Sequence, residues 1–260
     1  MNVRNGNFFI ISFFMLTGCA AINMNHYQDG KALGKNEMDG FIGVGTGLSF
    51  HTDTTKIGEN AYEVETKKGP SPIFLNLSIR AGVLSKLDLG GEIFTTIGST
   101  GFKLFSKYEL TDTLSKWGVA LMPLIGFSFP WFDEEDEDEE DINTDDEIKI
   151  SGRSFIFEVV APMSYAFSDN ITLAFGPKVY MHHNFINQTG GKSANLDRKG
   201  KQTWFSPGAF LGIHISKFRF EGSLVYLDRK VWMPYFGLNF RPAELFEDSD
   251  EESEESNKLE

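Results

Sequence analysis

Two stretches of strict period-two alternation constrain this chain more than anything else in it. In Phe41 to His51, one face carries Ile42, Val44, Thr46, Leu48 and Phe50, and the other carries Gly43, Gly45, Gly47, Ser49 and His51. In Ile73 to Val83, one face carries Ile73, Leu75, Leu77, Ile79, Ala81 and Val83, and the other Phe74, Asn76, Ser78, Arg80 and Gly82. Successive side chains of a strand point to opposite faces, so these runs are strands with one nearly unbroken apolar face. At about eleven residues each, they are long enough to cross a bilayer when tilted. Alternation alone leaves two architectures open. A soluble barrel or sandwich turns the apolar face inward, whereas a transmembrane barrel turns it to lipid and keeps polar residues in the lumen.

Loop lengths favour the second. The pattern gives about ten strands, at 41–51, 72–83, 87–97, 102–110, 116–129, 153–167, 171–183, 203–215, 218–226 and 232–241. Tight turns follow the even-numbered strands, around Leu84 to Lys86, Thr111 to Leu114, Ser168 to Asn170 and Ser216 to Lys217. The links after odd-numbered strands are long at 52–71, 130–152 and 184–202, and short near 98–101 and 227–231. Outer-membrane barrels show this asymmetry, with short turns on the periplasmic side. Aromatic residues collect at strand ends: Tyr108, Trp117, Tyr165, Phe167, Phe218 and Phe240 toward the short turns, and Phe50, Phe129, Trp131, Phe155, Trp204, Tyr226 and Trp232 toward the long loops. The chain thus reads as all-β, an antiparallel up-and-down transmembrane β-barrel over 40–241. With this pattern, and with the hairpin from Leu77 to Val83 into Leu87-Asp88-Leu89-Gly90, it resembles small bacterial outer-membrane β-barrel proteins. That resemblance implies fold and place, not activity. Pro123, Pro162, Pro177, Pro207 and Pro234 fall inside these strands. Each removes a ladder hydrogen bond, so each must mark a bulge, a rim or an edge if the strands are right.

The N-terminus reads as an address. Residues 1–7 are mostly polar with one charge, Arg4, and Phe8 to Leu16 is apolar apart from Ser12. That run is too short to span a membrane, which takes about 20 apolar residues, and it suits the apolar region of an export signal. Leu16-Thr17-Gly18-Cys19 then resembles the lipobox of bacterial lipoproteins. The resemblance implies cleavage before Cys19 and acylation of that residue, and two or more acyl chains anchor stably where one is marginal. Ordinary signal-peptidase cleavage after Ala20 is the alternative. Ala20 stands where an Asp retains enterobacterial lipoproteins at the inner membrane, so the resemblance implies delivery to the outer membrane. The implied organisation is a signal peptide at 1–18, a lipidated periplasmic tether at 19–39, the barrel at 40–241 and an acidic disordered tail at 242–260, and with an even number of strands both termini are expected in the periplasm. The implied partners are membrane lipids and the outer-membrane insertion and lipoprotein-sorting machinery. Cys19 is the only cysteine, so no disulfide forms within one chain.

The formal charge of −13 is concentrated. Nine acids form the unbroken run Asp133 to Asp141, three more follow at 145–147, and nine lie between Glu244 and Glu260. The remainder is mildly basic, without the dense basic stripe or motif that nucleic-acid binding needs. The acidic run is expected to be a solvated extracellular loop. Its carboxylates could hold Ca²⁺ weakly, but they lack EF-hand spacing.

The inner face carries mixed charge: Arg80, Lys103, Lys107, Lys178 and Arg219 against Asp88, Glu92, Glu109, Glu158 and Glu221. A ten-strand barrel is narrow, and buried charges need partners. The expectation is a packed lumen network, with a lined pore as the other reading. His214-Ile215-Ser216 resembles the His-x-Ser arrangement of a lipid A deacylase barrel, but lies on the predicted luminal face with no orienting acid in view. His51, His182 and His183 could meet near the outer rim. No catalytic residue, cofactor or resident metal is expected. The functional reading is a non-catalytic outer-membrane barrel lipoprotein with a structural, surface-interaction or minor-channel role. The alternatives are a lipid-anchored periplasmic soluble barrel binding an apolar ligand, and a membrane-embedded lipid-modifying hydrolase.

Overall fold

The computed structural model describes residues 21–26, 28–56, 62–70, 73–96, 98–112, 115–130, 149–189, 198–227 and 231–242. Its strands are β1 (Ala21–Asn23), β2 (Met38–Gly45), β3 (Gly47–Lys56), β4 (Tyr62–Pro70), β5 (Phe74–Leu84), β6 (Leu87–Thr96), β7 (Ser99–Glu109), β8 (Trp117–Pro130), β9 (Lys149–Val160), β10 (Met163–Ser168), β11 (Ile171–Thr189), β12 (Arg198–Ile215), β13 (Phe218–Leu227) and β14 (Val231–Phe240). The wall runs antiparallel in chain order from β2 through β5 to β14, and β14 returns to pair with β2. β9 and β10 together fill one position between β8 and β11, so this is a closed ten-strand barrel.

The direction of the apolar face settles the choice left open by alternation. In β5, Phe74, Asn76, Ser78 and Arg80 are buried, while Leu75, Leu77 and Ile79 are 58%, 54% and 48% exposed. β8 does the same with Leu121, Ile125, Phe127 and Phe129 outside. Hydrocarbon outside and charge inside is the arrangement of a membrane-spanning barrel. It is the reverse of what a soluble barrel with an apolar ligand inside requires. Ring contacts gather at both ends, with Trp117, Tyr165 and Phe167 in a row and Phe218 on Phe240 at the short-turn rim, and Tyr226 on Trp232 at the other.

The five prolines sit where ladders are interrupted. β7 and β8 keep one register from Phe105–Leu124 to Tyr108–Leu121, but Pro123 and Met122 between them are unpaired with β7. Pro162 lies in the β9–β10 break, and Pro177 lies opposite that break, its carbonyl accepting from the Ala161 N–H. Pro207 falls one residue beyond the end of the β12–β13 ladder, which starts at Gly208–Val225. Pro234 lies beyond the end of the β14–β2 ladder, which covers only Gly237–Gly45 to Phe240–Ile42. There Thr46 takes over: its N–H donates to the Phe236 carbonyl at 2.8 Å and its Oγ1 accepts from the Phe236 N–H at 2.9 Å. Backbone groups alternate sides along a strand, so Pro234 turns its missing N–H to the same, unpaired edge.

Three expectations change. The stretch 52–71 is not a simple loop, since β3 and β4 form a hairpin paired from Lys56–Tyr62 to Leu48–Pro70. β11 and β12 extend their hairpin well past the predicted ends. The greatest change concerns 19–39, predicted as a periplasmic tether: the described residues between Asn23 and Leu33 run through the inside of the barrel, 35–37 are exposed at the short-turn rim, and Met38 and Asp39 already belong to β2. The acidic run at 133–147, the tail from 243 and Cys19 lie outside the described residues.

Candidate functional site: the filled lumen

The segment from Asn23 to Leu33 has no regular periodicity, because it packs on every side. Asn23, Met24, Asn25, His26 and Gln28 are all buried. Its contacts descend the lumen in order. Asn23 Nδ2 donates to Glu92 at 2.7 Å, and the Met24 carbonyl accepts from Lys178 Nζ at 2.8 Å. His26 Nε2 lies 2.6 Å from Glu158, while its backbone N–H donates to Glu221. Gln28 Oε1 accepts from Arg80 at 2.9 Å. Asp29 lies 3.4 Å from Lys107, 3.8 Å from His214 and 4.0 Å from Arg80. Lys31 pairs with Glu109 at 3.0 Å and donates to the Asp112 carbonyl in a short turn. The segment therefore enters β2 from the short-turn rim, while its upstream end, β1, pairs with Gly47–Ser49 of β3 higher in the barrel.

The fit is one of charge and of backbone. The N–H groups of His26, Ala32 and Leu33 donate to Glu221, Glu109 and Asp88, so three wall carboxylates are met by amides of the segment. Such charge-assisted bonds are worth about 1.5–3 kcal/mol each. Two glycine contacts let backbone meet backbone. A Cβ on Gly30 would lie 2.3 Å from the Gly118 carbonyl, and one on Gly82 would lie 1.7 Å from the Gly34 oxygen. Asn25 Nδ2 donates to both the Thr46 and Phe236 carbonyls, at 3.0 and 3.2 Å, and so spans the place where β2 meets β14.

All ten lumen residues named from sequence lie buried on inward positions, yet they do not simply pair with one another. Direct contacts among them include Lys103–Glu92 at 3.5 Å, Lys107–Asp88 at 3.2 Å and Arg80–Asp88 at 3.5 Å. Glu109, Glu158, Lys178 and Glu221 take partners from the threaded segment instead. Arg219 lies 3.4 Å from Asp39 and over the Phe41 ring at 3.8 Å. Asp39, which the sequence reading passed over, is the centre of the short-turn end: Arg80 at 3.1 Å, Arg219 at 3.4 Å and Arg241 at 2.9 Å surround its carboxylate. Its place at the first inward position of β2, across from Arg80 in register, was the available signal. The lumen also holds an apolar wall patch, including Phe105, Met122, Ile156 and Phe210, against which Met24 and Leu48 pack.

The histidine readings separate. His182 faces the lumen, and His183 follows it on the same strand and so points to the other face. His214 finds Asp29 as an acid neighbour, but Ser216 sits exposed in the turn, and among the described residues no side-chain hydrogen bond joins it to His214. Among the described residues no group of three or more His, Cys, Asp or Glu side chains is set to hold a metal.

The fold is that of outer-membrane β-barrels. Searches of solved structures return such proteins: Ail, the attachment invasion locus protein of Yersinia pestis (12% identity over 80% of this chain and 99% of that one, TM-score 0.31), the outer membrane protease OmpT of Escherichia coli (12%, 79% and 91%, 0.41) and the NanC porin (10%, 78% and 98%, 0.34). No family model and no curated protein matches. The structural likenesses are too distant to carry an activity to this chain.

Proposed function

We propose that the protein is a non-catalytic outer-membrane barrel of the bacterial envelope, closed by its own N-terminal segment, with a structural or surface-interaction role. The observation that carries this reading is the threaded segment. A lumen occupied by the described residues between Asn23 and Leu33, and knitted to them through buried ion pairs, is the arrangement of a plugged barrel and supports a closed one. Reconstituted in planar bilayers, the full chain should give no stable conductance steps. Porin-like steps would overturn the plugged reading and restore the minor-channel role.

The same reading includes lipidation at Cys19, delivery by the lipoprotein-sorting and insertion machinery, and short turns facing the periplasm. Replacing Cys19 by alanine should abolish incorporation of a palmitate analogue; undiminished label on the variant would remove the lipoprotein part alone. The path of the threaded segment changes the expected topology. Both ends were predicted to be periplasmic, but Ala21 lies toward the long-loop mouth, whereas Arg241, whose N–H donates to Lys217, leaves at the short-turn rim. An epitope inserted after Ala20, or near Glu139, should bind antibody on intact cells, while one after Glu260 should bind only once the outer membrane is opened. An Ala20 tag hidden with the tail tag would overturn this topology.

A further inference from the structure

The outer wall formed by β11 to β14 is not evenly covered. An apolar groove of about 420 Å³ lies there, lined on the lipid side by Leu173, Leu211, Ile213, Phe220 and Phe236. Its floor is Gly222, an outward position with no side chain, flanked by Phe220 and Leu224, both exposed. A Cβ on Gly222 would meet only ordinary contacts, 3.6 Å from the Phe236 ring and 3.9 Å from the Leu211 carbonyl, so the groove is vacant room and not a forced close approach.

At the short-turn rim below the same strands stand two cationic residues. Lys217 forms the β12–β13 turn and is exposed; Arg241 follows β14, and its N–H donates to the Lys217 carbonyl at 2.8 Å. The Arg241 side chain is 45% exposed, and the Asp39 carboxylate beside it is shared with Arg80 and Arg219, so one acid serves three guanidinium groups. The nearest acid on the adjoining turn is Asp169, next to Asn170, whose carbonyl accepts from the Ser216 N–H.

We propose that this wall binds one anionic phospholipid of the short-turn leaflet, an acyl chain in the groove over Gly222 and the phosphate at Lys217 and Arg241. The apolar lining selects a hydrocarbon chain, and the paired bases at the headgroup level select negative charge. Native mass spectrometry of the detergent-purified full chain, offered an equal mixture of phosphatidylglycerol and phosphatidylcholine, tests it. The wild-type chain should retain one phosphatidylglycerol, preferred about fivefold or more over phosphatidylcholine. Lys217→Gln should cut that preference about fivefold and leave phosphatidylcholine retention as it was. Gly222→Leu should lose both lipids while keeping the heat-modifiable migration of a folded barrel. No preference in the wild-type chain, an unchanged preference in the Lys217 variant, or undiminished retention by folded Gly222→Leu would each overturn the proposal.

Discussion

Asp39→Asn should destabilise the barrel by about 3–5 kcal/mol, read as a shift in the urea midpoint after refolding into lipid vesicles. The shape of the side chain is kept and only its charge is lost. Arg80, Arg219 and Arg241 then converge on a neutral amide in a buried place, where one carboxylate had met three guanidinium groups at 2.9 to 3.4 Å. Arg80 keeps Asp88 at 3.5 Å, which is why the loss is not larger. Asn at the exposed Asp112 should change stability by less than about 0.5 kcal/mol. Similar small shifts from both substitutions would mean that the short-turn end of the lumen is hydrated and that the carboxylate is not its organising charge.

Leu77→Arg should cost about 2–4 kcal/mol in the same measurement, and Leu84→Arg only about 0–1. Both side chains are more than half exposed and both lie on the outer face of β5. They differ in depth: Leu77 lies well inside the strand, and Leu84 at the short turn, where an Arg head can reach water. In water the two substitutions would cost much the same. Equal losses would therefore speak against a bilayer around this face, whatever the shape of the wall.

The wall was legible because a strand pairs by a local rule. Period two writes the inward and outward faces into the sequence itself, so Leu75, Leu77 and Ile79 could be assigned to one side and Ser78 and Arg80 to the other before any partner was known. The outward direction was harder, since the same alternation serves a soluble barrel, and it was the turn lengths that tipped it. The threaded segment was not legible. The stretch from Asn23 to Leu33 meets wall positions on many strands through side chains and amides together, and no repeat length records that. Its composition, with His26, Asp29 and Lys31 among amides, looks the same whether the segment is solvated or buried in a matching lumen. For the same reason the inward charges were found individually, but their partners were not: Glu158 was assigned a place inside, and nothing in the strand pattern could say that His26, 132 residues away, would be its neighbour. The prolines were a warning that proved informative, because each falls where a ladder already stops or skips.

The meeting of β2 and β14 has a consequence for how the molecule comes into being. Its ladder has only four register pairs, from Gly237–Gly45 to Phe240–Ile42, and the amide of Asn25 grips both of its sides from within. A cylinder finished first would have to admit the segment through one end, dragging His26, Asp29 and Lys31 past charges of both signs. A sheet that curls around the segment meets no such obstacle: each turn of the wall finds its counter-charge already in place, and Asn25 bridges the Thr46 and Phe236 carbonyls where the wall closes. On that order of events the segment from Asn23 to Leu33 serves as a mandrel for the wall that closes around it.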